Sequence, residues 1–346
     1  MKSKKPRFRL FQTISGSKTG GAESFFERLT LSLHQYGCQQ KVSIKPFHHR
    51  LKLLKNAGVK YNTCKYRSLI YPVDRWILKN QIKAYKPNIV LSWMNRATSF
   101  SPSGNWVNIG RLGGFYNLKY YKNCDWLIAN TKGIAKWLNY NGWPKNRIKQ
   151  LNNFVPENTG KEIKSLKKFS NNTTRVIAFG RFHHNKAFDT LFKAISLLNN
   201  ITLFIAGDGP ERNKLYKLSK KLEIDKKVVF LGWIDNTEDL LASGDIFVCP
   251  SRFEPFGNVI IEAFSAKIPV ISTSTDGGLE NIQHLKNGLI TDIDDPTQLA
   301  NSIDELRKSK DLKKSLIFNG FKTWEEFYHP KIITEEWIDF FEKVKK

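Results

Sequence analysis

The stretch from 249 to 280, CPSRFEPFGNVIIEAFSAKIPVISTSTDGGLE, constrains the fold of this chain more than any other. An apolar strand at 246–249 runs through a turn into the loop Glu254-Pro255-Phe256-Gly257, a helix with an apolar face follows, and a second strand leads to a Gly-Gly turn at 277–278. Proline and glycine fit the start of that helix, where unpaired N–H groups form a ready anion site. The pattern predicts an α/β fold with a ligand at the helix start.

Two carboxylates flank this helix start. Glu254 lies on the loop and Glu262 about one and a half turns into the helix, with seven residues between them. From that position Glu262 can reach a hydroxyl of a ligand whose phosphate the N–H groups hold. Two glutamates kept only for solubility are the plain alternative, but the surrounding pattern favours a sugar-phosphate ligand.

This spacing, within its strand–EPFG–helix–strand–Gly-Gly context, resembles the glutamate–seven–glutamate signature of the retaining glycosyltransferases of family 4, the group 1 family with the GT-B fold. The resemblance implies two Rossmann-like domains that face a central cleft, with a C-terminal helix crossing back to the first domain. It implies that Glu254 lies beside the donor sugar and that Glu262 bonds the ribose. It also assigns nucleotide-sugar binding to the helix start, at Phe256, Gly257 and Asn258.

A basic loop follows the first predicted strand of the second half, at 175–179. Arg181 and Lys186 on this loop match the pair that grips the donor pyrophosphate in the family. Cations suit that role because the departing nucleoside diphosphate gains negative charge. GT-B enzymes generally need no metal for catalysis, so the resemblance implies an NDP-sugar co-substrate with no cofactor and no metal. Two solvated loop cations are the alternative.

Two further turns match nucleotide-sugar contacts of the family. The glycine-rich turn at 15–21 does not fit GxxxxGK[ST], which excludes a P-loop. Its Gly20 and Gly21 match a turn that approaches the donor phosphates, although an ordinary tight turn would look the same. Trp233 and Ile234 follow a strand at 228–232, where the family typically bonds the nucleotide base through main-chain atoms.

The net charge of +25 is concentrated in the first half of the chain. Residues 1–156 hold 28 lysines and arginines and only four acids, whereas residues 157–346 hold 28 and 27. This excess of positive charge in residues 1–156 predicts a polyanionic partner. The segments 46–59 and 66–85 read as basic helices with aromatic residues, which suit a lipid headgroup layer. We expect peripheral attachment to the inner face of the cytoplasmic membrane, with apolar stripes that simply face the core as the alternative.

Three residues at predicted strand ends of the first half are candidates for acceptor binding. Asn95 and Arg96 follow a strand at 88–92, and Arg111 follows one at 107–110. Open α/β sheets bind ligands at the carboxyl ends of their strands. Family members often carry a histidine near the first of these positions, where this chain has Asn95.

The 346 residues exceed what one core supports and predict two domains. We expect an acceptor domain at 1–156, a linker at 157–173, a nucleotide-sugar domain at 174–320, and helices at 321–346 that pack back on the first domain. The cysteines form no CxxC pair, no apolar run approaches a membrane span, and the N-terminus does not read as a secretion signal. These features predict a cytoplasmic protein.

The predicted function is transfer of a hexose-type sugar from an NDP-sugar, with UDP favoured over GDP, to an anionic glycolipid or lipopolysaccharide precursor. A GT-B sugar-nucleotide 2-epimerase is one alternative, which incubation with UDP-GlcNAc alone would discriminate. A nucleic-acid-binding protein is another, motivated only by charge. Since no helix-turn-helix or RNP-type pattern is present, we expect no nucleic-acid partner.

Overall fold

The computed structural model describes residues 6–18, 20–67, 72–169 and 173–346, apart from the side chain of Lys167. Thr19 of the glycine-rich turn, positions 68–71 of the second basic segment and positions 170–172 of the predicted linker lie outside these residues. The chain divides into two compact units. The first unit is Met1–Phe154 with Pro330–Lys346, and the second unit is Val155–His329.

The first unit is a parallel α/β sheet of seven strands in the order β3-β2-β1-β4-β5-β6-β7. The strands are β1 (Arg9–Ile14), β2 (Gln39–Ile44), β3 (Lys60–Thr63), β4 (Ile89–Trp93), β5 (Val107–Leu112), β6 (Trp126–Ala129) and β7 (Ile148–Gln150). The helices between them are α1 (Gly21–Gln35), α2 (His48–Asn56), α3 (Pro72–Tyr85), α4 (Met94–Phe100) and α5 (Lys132–Tyr140).

The second unit is a parallel sheet of six strands in the order β10-β9-β8-β11-β12-β13. The strands are β8 (Thr174–Phe179), β9 (Ile201–Ala206), β10 (Val228–Gly232), β11 (Ile246–Cys249), β12 (Val270–Thr273) and β13 (Leu289–Thr291). The helices are α6 (Phe188–Ser196), α7 (Arg212–Lys221), α8 (Thr237–Ala242), α9 (Asn258–Ser265), α10 (Asp276–Asn281), α11 (Pro296–Lys308) and α12 (Lys310–Phe327). A last helix, α13 (Pro330–Val344), belongs to the first unit.

Central strands are buried on both faces, as parallel sheets require. All five residues of β4 and all six of β9 are buried. Helix α13 completes the first core with aromatic side chains: the rings of Trp337 and Trp93 stack with centroids 6.5 Å apart, and Phe341 meets Phe8 at 5.3 Å. The prediction of two Rossmann-like α/β domains is therefore confirmed.

The second unit begins and ends beyond the positions expected from the sequence. Residues expected in a linker are fastened to it, since the N–H of Ile163 donates to Ser243 Oγ at 2.7 Å. Helix α12 also stays with this unit, because the indole N–H of Trp324 donates to the carbonyl of Val155 at 2.9 Å. The chain returns to the first unit at Pro330 rather than at 321. Each helix in the described residues is too short or too polar to cross a lipid bilayer.

Candidate active site

The strand order of the second unit creates a switch point between neighbouring strands β8 and β11. The sheet continues from β8 toward β9 on one side and from β11 toward β12 on the other. Ligands of open α/β sheets bind outside the carboxyl ends of the strands at such a point. The loops that leave these two ends are 180–187 and 250–257, so the topology brings the predicted basic loop and the EPFG loop side by side.

An ion pair joins the two loops. Lys186 Nζ lies 2.5 Å from Glu254 Oε2, and the side chains are 24% and 14% exposed. Burial is the largest single influence on Lys186 and lowers its pKa, but Glu254, with smaller contributions from Cys249 and Glu262, raises the pKa above its ordinary value. Lys186 is therefore a protonated, ordered cation at neutral pH.

A second carboxylate near Lys186 is that of Glu262, on helix α9. The helix begins after Gly257, which adopts φ 82° and ψ 50° and gives no side-chain cap. Glu262 follows Asn258 by four residues, which places both on one face of the helix. Glu262 is close enough to raise the pKa of Lys186. The structure thus brings one cation and two carboxylates near the start of α9.

Gly277 and Gly278 lie in the first turn of helix α10, rather than in a separate turn as expected. They allow α10 to pack closely against the EPFG loop. The N–H of Gly277 donates to the carbonyl of Glu254 at 2.7 Å. A Cβ on Gly277 would come within 2.6 Å of the main chain of Phe256, and one on Gly278 within 2.1 Å of Thr273 O. The glycines therefore let the main chain of the EPFG loop lie directly on α10.

Phe256 contributes its side chain to the core and leaves only its main chain for a ligand. The ring is 5% exposed and meets Tyr328 edge to face at 6.2 Å. Its carbonyl accepts a hydrogen bond from the Asn281 side-chain amide. The predicted role of Phe256 in nucleotide-sugar binding is therefore limited to main-chain atoms.

Arg181 differs from Lys186 although the sequence paired them. Its side chain is exposed, whereas the next residue, Phe182, is 1% exposed. No hydrogen bond or ion pair of Arg181 is found among the residues that the structure describes. The loop therefore carries one ordered cation and one that is available in solvent.

Arg252 is a residue of this site that the sequence interpretation missed. Its guanidinium donates to both carboxylate oxygens of Asp189, at 2.9 and 2.8 Å, and to Asp294 at 2.8 Å. Its main-chain N–H donates to the carbonyl of Asn185 at 2.8 Å. These contacts raise the pKa of Arg252 and tie the loop of Glu254 to the loop of Lys186. The only sequence signal is an arginine two residues before Glu254.

The predicted base contact lies at the end of β10. Gly232 turns the chain with φ 69°, and Trp233 is 55% exposed with its indole N–H donating to Asp235 Oδ1 at 3.0 Å. Ile234 is half-buried against the core beside α9. Main-chain atoms of this turn are placed at a strand end, as the sequence led us to expect.

The glycine-rich turn of the first unit folds around a carboxylate that the sequence interpretation missed. Glu23 Oε1 accepts hydrogen bonds from the N–H and the hydroxyl of Ser17, at 2.7 and 2.9 Å. A Cβ on Gly20 would come within 2.4 Å of the same carboxylate. Gly20 therefore permits this close approach, and Gly21 is the first residue of α1.

Asn95 and Arg96 follow a sharp bend at the switch point of the first unit, where β1 and β4 are neighbours. Met94 makes the bend with φ 61°, a conformation that costs an ordinary residue energy and is often found at functional sites. Asn95 Oδ1 is buried and has no hydrogen-bond partner in the described part of the chain. Arg96 is exposed.

Arg111 lies at the adjacent end of β5 and is 1% exposed. Its guanidinium carbon lies 5.2 Å from the ring centroid of Phe25 and 5.0 Å from that of Trp93. Asn153 Oδ1 accepts one hydrogen bond from it, while its Nε has no partner among the described residues. Burial lowers the pKa of Arg111 to about 10. The structure buries this candidate acceptor residue instead of exposing it.

Among the described residues, no three His, Cys, Asp or Glu side chains form a group that could hold a metal ion. The expectation of catalysis without a metal or cofactor stays a prediction.

With this geometry in hand, comparison with known proteins gives consistent matches. Residues 160–323 match the family described as glycosyl transferases group 1. The lipopolysaccharide core biosynthesis glycosyltransferase LpsE of Rhizobium meliloti is 32% identical, covering 93% of this chain and 95% of its own, and LpsD of that organism is 31% identical, with 94% and 95% covered. The crystal structure of Anabaena Alr3699/HepE in complex with UDP superimposes with a TM-score of 0.85 at 19% identity, covering 97% of this chain and 99% of that one.

The fold and the near full-length relatives define the class: the protein is a glycosyltransferase of the GT-B fold. The chain belongs to the group 1 glycosyltransferases.

Proposed function

We propose that this glycosyltransferase transfers a hexose-type sugar from a UDP-sugar to an anionic glycolipid or lipopolysaccharide precursor, with retention of the anomeric configuration. The observation that carries the donor half is the group of Lys186, Glu254 and Glu262 at the switch point of the second unit. The similarity to two lipopolysaccharide core glycosyltransferases and to a structure solved with UDP supports the choice of donor and acceptor.

In this mechanism the diphosphate of the donor lies between Arg181, Lys186 and the start of α9. The acceptor hydroxyl attacks the anomeric carbon from the face on which the diphosphate departs. The bond from that carbon to the β-phosphate oxygen breaks, and the leaving oxygen takes the acceptor proton. Lys186 is already ordered by Glu254, so its charge needs little reorganisation as negative charge develops on the phosphate.

The two glutamates bind the two sugars that lie on either side of the diphosphate. Glu254 holds hydroxyls of the transferred sugar, and Glu262 binds the ribose. Main-chain atoms at 233–234 bind the base, and those of 256–258 approach the donor. No metal takes part, because the two cations and the helix start supply the positive charge.

The acceptor binds to the first unit at Asn95 and Arg96, beside the buried Arg111. Residues 1–156 hold seven times as many lysines and arginines as acids, 28 against four, which favours an acidic acceptor and an anionic membrane surface. We expect the enzyme to work as a peripheral protein on the inner face of the cytoplasmic membrane.

A screen of donor hydrolysis across UDP- and GDP-sugars tests the donor half. Replacing Glu262 or Arg181 by alanine leaves the fold intact and severely lowers turnover of the preferred donor, whereas Lys217→Ala on the exposed face of α7 serves as a charge-matched control for Arg181→Ala. Wild-type turnover by either purified variant would remove its residue from the site. NMR of the product anomer tests retention directly.

A further inference from the structure

The acids of residues 1–156 do not neutralise the surface of the first unit, because each is bound by a specific partner. Glu23 accepts a hydrogen bond from Ser17, and Glu27 pairs with Arg50. Asp74 accepts a hydrogen bond from the N–H of Arg67, and Asp125 accepts one from the N–H of Asn108. The basic side chains at the surface of this part of the chain are therefore mostly left to solvent.

Three of these cations line one recess of about 260 Å³. Its lining residues are Arg75, Ser99, Lys119, Tyr120, Lys122 and Asn123. No acid is among them, and the volume lies below the roughly 300–1,000 Å³ of pockets for drug-sized ligands. The chemistry of this lining suits a small anion.

Two of the three cations of the recess contact neighbouring protein groups. Arg75 donates to the carbonyl of Ser99 at 3.2 Å and its guanidinium lies 5.4 Å from the ring centroid of Phe100. Lys119 Nζ lies 5.1 Å from the ring centroid of Tyr120. Within the described residues, neither these two cations nor Lys122 has a carboxylate partner, so the recess offers positive charge that no internal group offsets.

Helix α3, which carries Arg75, turns apolar side chains to the solvent beside the recess. Asp74, Leu78 and Ile82 form the buried stripe of this helix. Val73 and Trp76 lie off that stripe and are 51% and 64% exposed. The exposed lysines at 79 and 83 continue the row of Arg75 at helical spacing. An exposed tryptophan beside a row of cations suits the boundary between lipid headgroups and acyl chains.

We propose that the recess of Arg75, Lys119 and Lys122 binds a phosphate monoester presented by a lipid headgroup, while Val73 and Trp76 enter the headgroup layer. A monoester carries about −1.5 to −2 charges at neutral pH, against one for a diester, so three converging cations favour it. Arg75 presents a planar fork to two phosphate oxygens, and the lysines add point charges. This proposal rests on the membrane part of the proposed function and makes it more specific.

Vesicle co-sedimentation tests the site with the full-length protein. Phosphatidic acid presents a monoester and phosphatidylglycerol a diester, and the two vesicle types are matched in surface charge. We expect tighter binding to phosphatidic acid. The variant Lys119→Gln/Lys122→Gln loses this preference, with binding to phosphatidic acid reduced roughly thirtyfold for two surface lysines.

Lys52→Gln/Lys55→Gln on α2 removes the same charge elsewhere in the first unit and changes binding to both lipids alike. Equal binding of the wild-type protein to the two charge-matched vesicles, or a preference that survives Lys119→Gln/Lys122→Gln, would overturn the proposal. Competition by inorganic phosphate at constant ionic strength, as strong as by phosphatidic acid vesicles, would assign the recess to free phosphate instead. Donor hydrolysis measured without lipid stays unchanged in both variants, so failure of this site is separable from failure of the proposed transferase reaction.

Discussion

Each unit holds an arginine near the carboxyl ends of its strands, partly buried in the second unit and fully buried in the first, and the two arginines have opposite surroundings. Arg252 in the second unit has two carboxylate partners and holds two loops together. Arg111 in the first unit lies between two aromatic rings, with one amide oxygen as its acceptor and an unpaired Nε in the described structure. Ion pairs therefore order the loops at the strand ends of the second unit, whereas buried atoms of Asn95 and Arg111 in the first unit have no partner among the described residues.

The largest expected effect is on the ordered side, at Lys186. We expect Lys186→Ala to lower kcat about 10²–10³-fold, because it removes a prepared cation from the diphosphate and leaves Glu254 without its partner. Steady-state kinetics with the preferred donor measure this. Lys217→Ala should keep wild-type rates, and a similar loss in that control would show that the effect is not local to the site.

A glycine pair tests how tightly the strand ends of the second unit are packed. Gly207 has φ 144°, and a Cβ there would lie 1.9 Å from the carbonyl oxygen of Gly180, whereas Gly142 of the first unit has φ 88° and open space. We expect Gly207→Ala to lower the free energy of unfolding by about 3 kcal/mol through overpacking and strain, and Gly142→Ala by about 1 kcal/mol through strain alone. Denaturant unfolding measures both. Equal costs would contradict the packing argument.

The two arginines themselves should respond to methionine with opposite signs. Arg252→Met leaves Asp189 without its charged partner and should cost about 2 kcal/mol, allowing for the solvent that screens the half-exposed Asp294. It should also lower kcat more than it changes KM, since Arg252 ties together the two loops that carry Lys186 and Glu254. Thermal unfolding and kinetics check the two effects, and Arg252→Lys should restore only part of each.

Arg111→Met is expected to be neutral or to stabilise the protein by up to about 2 kcal/mol, because it replaces an uncompensated buried charge by an apolar side chain of similar length. Donor hydrolysis should continue while transfer to the acceptor falls. A clear loss of stability would mean that Arg111 stabilises the fold, and would contradict the expected difference between the two arginines.

The smallest effect is a shift in acid stability. Burial raises the pKa of Asp189, but hydrogen bonds and charge from Arg252 lower it further than burial raises it, and Arg175 does the same for Asp245. Because both folded-state pKa values lie below the ordinary 3.8, these groups stabilise the fold above that pH and lose their contribution as the pH falls through the lowered values. Arg252→Met should therefore move the acid unfolding midpoint upward. Circular dichroism across an acid titration measures the shift.

The sequence predicts local features of this protein well, because they depend on neighbours in the chain. Apolar runs bounded by glycine marked the strands, and the seven-residue spacing marked Glu254, which pairs with Lys186, and Glu262, whose charge acts on Lys186. Contacts between residues far apart in the chain have no such local sequence signal. Arg252 meets Asp189 and Asp294 across 63 and 42 positions.

Burial was equally hard to read from the chain. Arg111 looked like a surface cation and lies in the core. Trp76 shares its helix with the buried Leu78, and only the tertiary packing decides which apolar face of α3 is covered. The extent of the second unit was also missed, because α12 and α13 are both amphipathic and aromatic, and their sequences do not say which sheet each helix covers.

The return of the chain at Pro330 has a consequence for biosynthesis. The second unit is one continuous stretch whose ends lie together, since the N–H of Val155 donates to the carbonyl of Tyr328 at 3.3 Å. The first unit lacks Trp337, Phe340 and Phe341 of its core until helix α13 has been translated. Domains generally fold in the order in which they leave the ribosome. Here the first unit begins first, but its core stays incomplete until α13 follows the second unit.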